Sequence, residues 1–156
     1  VVHGDLNNTV HGPIRYDAVL KAFDQFKLKL PDSLQEEGGF SFKGGYRATE
    51  RFFSMNHPPT ALLSANNNMT AGILKACRDN RIRIPQDVSV VSFGELEYSW
   101  YLIKPSITCV NQSPLEIGQK AATLMLRRIT NEGDFEIMHM FLTPKLLVRE
   151  STAPFS

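Results

Sequence analysis

The chain has 156 residues, 42% of them apolar and 21% charged, which is enough for one soluble domain with a real core. Its 17 lysines and arginines against 16 aspartates and glutamates leave a net charge of +1, excluding broad electrostatic attraction to nucleic acid or an anionic membrane. No apolar run approaches the ~20 residues needed to span a bilayer.

In chain order, Val1-Val2-His3-Gly4-Asp5 reads as the interior of a fold entered in mid-strand, with no secretory signal. A helix is expected from Pro13 to about Lys27, with Ala18, Val19, Ala22, Phe23 and Phe26 on its apolar face. Pro31-Asp32-Ser33 breaks the chain, and Gln35–Phe40 leads to a turn at Gly38-Gly39. A second helix, Lys43–Met55, carries Tyr46, Thr49, Phe52 and Phe53.

The stretch Pro58–Glu95 is the most informative. Strand Thr60–Ala65, helix Asn67–Asn80 (burying Met69, Ile73, Ala76 and Cys77) and strand Val88–Phe93 form a right-handed parallel β-α-β unit. An aromatic segment, Tyr98–Leu102, precedes strand Ser106–Val110. Ser113-Pro114-Leu115-Glu116 then supplies an N-cap serine, a first-turn proline and a capping-box glutamate for a helix to about Asn131, stopped by Gly133. That helix presents Leu115, Gly118, Ala122, Met125 and Ile129 on one face. Strands Ile137–Leu142 and Leu146–Arg149 close the pattern. The fold class is α/β, an open, mostly parallel sheet flanked by helices.

In such sheets ligands bind beyond the carboxyl ends of the strands. Four strand ends fall there: His3-Gly4-Asp5, Gly39-Phe40, Ala65-Asn66-Asn67 and Phe93-Gly94-Glu95. Asn66 or Asn67 can cap its helix or contact a ligand. Arg15, in the first turn of its helix, opposes the helix dipole and so asks for an anionic or hydroxyl-rich partner, although surface arginines are common. Phe40 can stack on a sugar or base, or fill the core. The paired acids Glu95 and Glu97 read equally as solvated loop residues, and Lys120, Arg127 and Arg128 as a solvated helix face. No phosphate-binding loop, dinucleotide fingerprint, zinc motif or nucleophile elbow occurs, so no cofactor, metal or catalytic residue is nominated. Cys77 and Cys109 have no metal spacing and fit a reducing, cytosolic setting.

The runs PPTALLSANNNMTAGILKACRDNRIRIPQDVSVVSF, KPSITCVNQSPLEIGQKAATLMLRRI and LTPKLLVREST, with GPIRYDAVLKAF and GGFSFKGGYRA, closely resemble the effector-binding domain of LacI-type bacterial transcriptional regulators. The resemblance spans nearly the whole chain. It implies one lobe of a type I periplasmic-binding-protein-like fold, residues 1–156, with about 113–135 crossing into an N-terminal lobe absent here. It further implies a cytoplasmic, sugar-responsive repressor that dimerises and meets DNA through a helix-turn-helix outside this chain. The expected dimer surface lies near Tyr46–Phe53, Met69–Arg78 and Tyr98–Leu102.

Carried over by position, Arg15 matches the arginine that binds effector hydroxyls or carboxylate, and Phe40 the stacking aromatic. Asn66 and Gln112 match a ligand-contacting strand end and a position near the lobe crossover. At Phe93-Gly94-Glu95 the family usually has aromatic-Asp-Asp. Gly94 lacks the first carboxylate and Glu95 holds the second position, which makes the pocket less hostile to a sugar phosphate or sugar acid. The rival readings are a transport-type solute-binding protein for sugars and an enzyme using Glu95 or Glu97.

Overall fold

A computed structural model describes residues 1–96, 99–130 and 138–154. A six-stranded sheet runs in the order β2-β1-β3-β4-β5-β6. Its strands are β1 (Val2–His3), β2 (Glu36–Glu37), β3 (Ala61–Ser64), β4 (Ser89–Phe93), β5 (Thr108–Asn111) and β6 (Lys145–Leu147). The first five are parallel, and β6 pairs antiparallel with β5, Val110 opposite Leu146. The helices are α1 (His11–Gln25), α2 (Phe42–Phe53), α3 (Asn67–Asp79), α4 (Ser99–Leu102) and α5 (Pro114–Ile129).

The core lies where α2 and α3 cover the central strands, joining Val2, Phe52, Leu62, Met69, Ile73, Val88 and Val90. All four side chains expected on the inner face of α3, Met69, Ile73, Ala76 and Cys77, are buried. Small residues set the distance between α2 and α3. A Cβ on Gly45 would meet the Met69 carbonyl oxygen at 2.1 Å, and one on Gly72 would meet the Phe42 carbonyl oxygen at 2.0 Å. Both helices start from a side-chain cap. Ser41 Oγ accepts from Gly44 N–H at 3.0 Å, and Asn66 Oδ1 accepts from Met69 N–H at 2.8 Å.

The end of the chain is built into the sheet by polar contacts. Ser151, fully buried, donates its hydroxyl to the Val90 carbonyl at 2.6 Å and accepts from Thr108 N–H at 2.8 Å, so it joins β4 to β5.

Three expectations are corrected. The apolar face of α1 is not buried: Gly12 is its only buried residue and Phe26 is 77% exposed. The two-residue strands β1 and β2 beneath it offer too little surface to cover it. Ser113 does not cap α5 with its side chain, because its backbone adopts φ 52°, ψ 56°, and Glu116 pairs with Lys120 at 3.6 Å instead. Met138–Leu142 is not a strand; the return to the sheet begins only at Lys145. Ile137, Gly133, Glu97 and Tyr98 lie outside the described residues.

Candidate functional site

Five parallel strands place their carboxyl ends on one rim, and the residues following β1, β2, β3 and β4 meet there. The turn after β2 puts Gly39 and Phe40 at φ 55° each, the left-handed region that a phenylalanine enters only at a cost. Such strain persists where surrounding contacts over-determine it. Here the Phe40 carbonyl accepts from Asn66 Nδ2 at 3.2 Å, and its ring lies against Gly4, where a Cβ would stand 2.0 Å from the ring tip. Asn66 therefore both caps α3 and holds the Phe40 turn, each with a different end of its amide.

Arg15 reaches the rim from the first two turns of α1. Nη1 donates to the Ala65 carbonyl at 2.6 Å, at the end of β3. Its guanidinium lies 4.2 Å from the centroid of the Phe93 ring and 5.9 Å from that of Phe40. Two aromatic rings thus face one cation, an arrangement that favours retained charge in a partly dry place. Burial lowers the Arg15 pKa, yet guanidinium remains protonated. Among the described residues no carboxylate contacts it.

The acids near the rim are committed elsewhere. Asp5 accepts from the Asn7 and Asn8 N–H groups at 2.8 and 2.9 Å and from Asn8 Nδ2 at 2.9 Å, which holds its carboxyl below the usual range. Glu95 accepts from Asn111 Nδ2 and forms an ion pair with Arg149. Gly94 takes φ 95°, a conformation an aspartate adopts only under strain, and a Cβ there would find nothing nearer than Asn67 at 3.9 Å. The rim is thus open at Gly94.

The structure brings Arg15, Phe40 and Asn66 together and places Glu95 in a separate polar cluster. Gln112 lies between β5 and α5, in a cavity of about 520 Å³ lined also by Phe93, Ile117, Lys120, Leu124 and Phe141. Phe93 faces both this cavity and Arg15, so it connects the two regions. Sequence reasoning named Phe93 only as a strand end and in the aromatic-Asp-Asp position, and nominated neither Asn111 nor Arg149. The place of Phe93 as last residue of a central strand was the signal available for it; the partners of the other two depend on strand order.

The periplasmic binding protein-like domain family matches residues 1–152. The HTH-type transcriptional repressor PurR of Haemophilus influenzae (strain PittEE) is 31% identical over 153 residues, 97% of this chain and 45% of the repressor. The chain therefore spans less than half the length of that relative. Among solved structures, the transcriptional regulator CelR in its cellobiose complex superposes with TM-score 0.80 at 27% identity, over 96% of this chain and 45% of that one. A LacI family transcriptional regulator from Enterococcus faecium with bound ribose gives 0.79 at 26% identity, over 91% and 52%. The chain belongs to the periplasmic binding protein-like domain family, in the form that LacI-type regulators carry.

Proposed function

We propose that this chain is the effector-binding lobe of a LacI-type, sugar-responsive DNA-binding repressor, with ligand held on the rim formed by Arg15, Phe40, Asn66 and Phe93. One observation carries the reading: a half-buried arginine between two aromatic rings at the carboxyl ends of parallel strands, with no acid of its own among the described residues. The ribose and cellobiose complexes of its structural neighbours support a sugar as the effector class.

The charge pattern refines that class to a sugar phosphate or sugar acid. With Gly94 lacking a side chain, Glu95 paired to Arg149 and the Asp5 carboxylate turned to the Asn7 and Asn8 amides, Arg15 is the counter-ion for an anion. Phe40 stacks on the sugar ring, and Gln112 borders the ligand from the crossover side. The ligand closes this lobe against a second one, towards which the chain crosses from residue 113 onward. Its differential affinity for the two lobe arrangements changes how a dimer presents its DNA-binding heads, in the bacterial cytoplasm.

Dimer contacts fall on the outer sides of α3 and α4. There Leu74, Arg78, Ile82, Arg83, Leu102 and Ile103 line a groove of about 730 Å³. Phe52, Met69 and Ile73, within the expected surface, are core residues and take no part.

The test is calorimetric titration of the gene's full-length product with ribose, ribose 5-phosphate and ribonate. The phosphate or the acid is expected to bind more tightly than ribose, and Arg15→Met to weaken it by about 10- to 100-fold, the loss of a charge-assisted contact. Equal affinity for the neutral and anionic forms overturns the anion assignment.

A further inference from the structure

Glu95 sits where three stretches of chain meet. Its Oε2 accepts from Asn111 Nδ2, and its Oε1 accepts from Arg149 Nη2. Asn111 is the last residue of β5, where the chain leaves the sheet for α5, and Arg149 lies two residues past β6, where it has returned. Arg149 is fixed from other sides too, with Nη1 donating to the Ile107 carbonyl at 3.2 Å and its own N–H donating to Thr108 Oγ1 at 2.9 Å. Glu95 and Arg149 are 21% and 18% exposed, so water screens the pair only in part.

The contact continues towards the helix. Asn111 Oδ1 accepts from Ser113 N–H at 2.6 Å, and the Ser113 carbonyl accepts from Ile117 N–H at 3.1 Å. Ser113 has the left-handed φ of 52° that a non-glycine residue adopts only when held. The sense of the Asn111 amide is forced. Ser113 offers a donor and Glu95 offers only acceptors, so the oxygen must face one and the nitrogen the other.

The opposite end of this relay is the rim. Phe93, whose ring carries Arg15, stands two residues before Glu95, and between them Gly94 N–H donates to the Val110 carbonyl at 3.0 Å. A group engaging Arg15 therefore bears on the same loop that Glu95 anchors.

We propose that Glu95 is a positioning residue. It clamps the outgoing and returning strands to the β4 loop, sets the direction in which α5 leaves the sheet, and conveys the state of the rim to that helix. The conveying role rests on the rim being the ligand site, as argued above; the clamp does not.

Hydrogen exchange on the full-length product tests both. In ligand-free Glu95→Gln, the Ser113 and Ile117 amides are expected to exchange about tenfold faster or more, with Leu62 and Val90 unchanged. The double reversal Glu95→Arg with Arg149→Glu restores the ion pair and thermal midpoint. The Asn111 oxygen must then turn to the new guanidinium, so Ser113 stays fast. Wild-type protection at Ser113 in Glu95→Gln overturns the clamp, as does a uniform rise across β4, β5 and α5, or Ser113 protection that simply follows the thermal midpoint. With ribose 5-phosphate added, the wild type is expected to slow Ser113 exchange, whereas Glu95→Gln binds within about threefold and shows no slowing. Slowing in both overturns the conveying role. Absence of binding to wild type overturns the rim reading and the conveying role with it, while the ligand-free comparison still decides the clamp.

Discussion

Glu150 shows how a single exposed acid on this chain acquires a structural task. Its carboxylate accepts from Ser106 N–H at 2.8 Å, Ser106 Oγ at 2.9 Å and Lys104 Nζ at 3.1 Å, tying the end of the chain to the entrance of β5. Those contacts, the backbone N–H first, pull its pKa from 4.5 to about 2. A carboxyl depressed in the folded state stabilises the protein fully above its unfolded value, and that contribution disappears as pH falls from 4.5 towards 2. Urea midpoints measured across this window are expected to fall, and Glu150→Gln to flatten part of the slope. Asp87, held at about 2 by Arg83, accounts for another part. From the sequence, the tetrad Arg149 to Thr152 divides between the end of the expected strand Leu146–Arg149 and a polar tail, Glu150–Ser156. Each of its first three members instead makes a long-range contact, to Glu95, Ser106 and Val90.

At the scale of elements, the pairing of α2 with α3 depends on backbones that approach closely. Gly72→Ala raises the intrinsic helix propensity of α3 by about 1 kcal/mol. Its new methyl must nevertheless displace the Phe42 carbonyl, against which it would stand at 2.0 Å. Overpacking costs of about 1–3 kcal/mol exceed the gain when neither backbone can yield. A net loss of roughly 1–2 kcal/mol is therefore expected in equilibrium denaturation. A stabilised variant would show that the helices slide apart freely. The inner stripe of α3 was legible because Met69, Ile73, Ala76 and Cys77 recur at helical spacing. The same rule failed for α1. Periodicity reports which face is apolar, whereas burial requires an opposing surface, and the two-residue strands β1 and β2 supply little.

For the whole molecule, the unbalanced element is α5, which buries none of its residues. Leu115, Met125 and Ile129 are 75%, 61% and 68% exposed, and Phe141 nearby is 91% exposed. An apolar stripe of this extent is an association surface. The isolated chain is expected to self-associate through it, and Leu115→Glu with Met125→Glu and Ile129→Glu to return it to a monomer in sedimentation velocity. If the triple variant associates as before, the contact lies elsewhere, for instance in the groove beside α3.

The sequence by itself determined the alternation of strands and helices, the parallel sheet and the carboxyl rim, because those follow from period, length and turn chemistry along one stretch of chain. It also brought Arg15, Phe40 and Asn66 forward, since each marks a strand end or a helix start. Only the tertiary structure decided that Phe93 completes the cradle of Arg15, that Glu95 joins Asn111 and Arg149 rather than Arg15, and that Ser113 turns left-handed instead of capping α5. Those outcomes depend on which strands become neighbours. Glu95 and Arg149 are 54 residues apart in the chain, and no local spacing encodes their meeting.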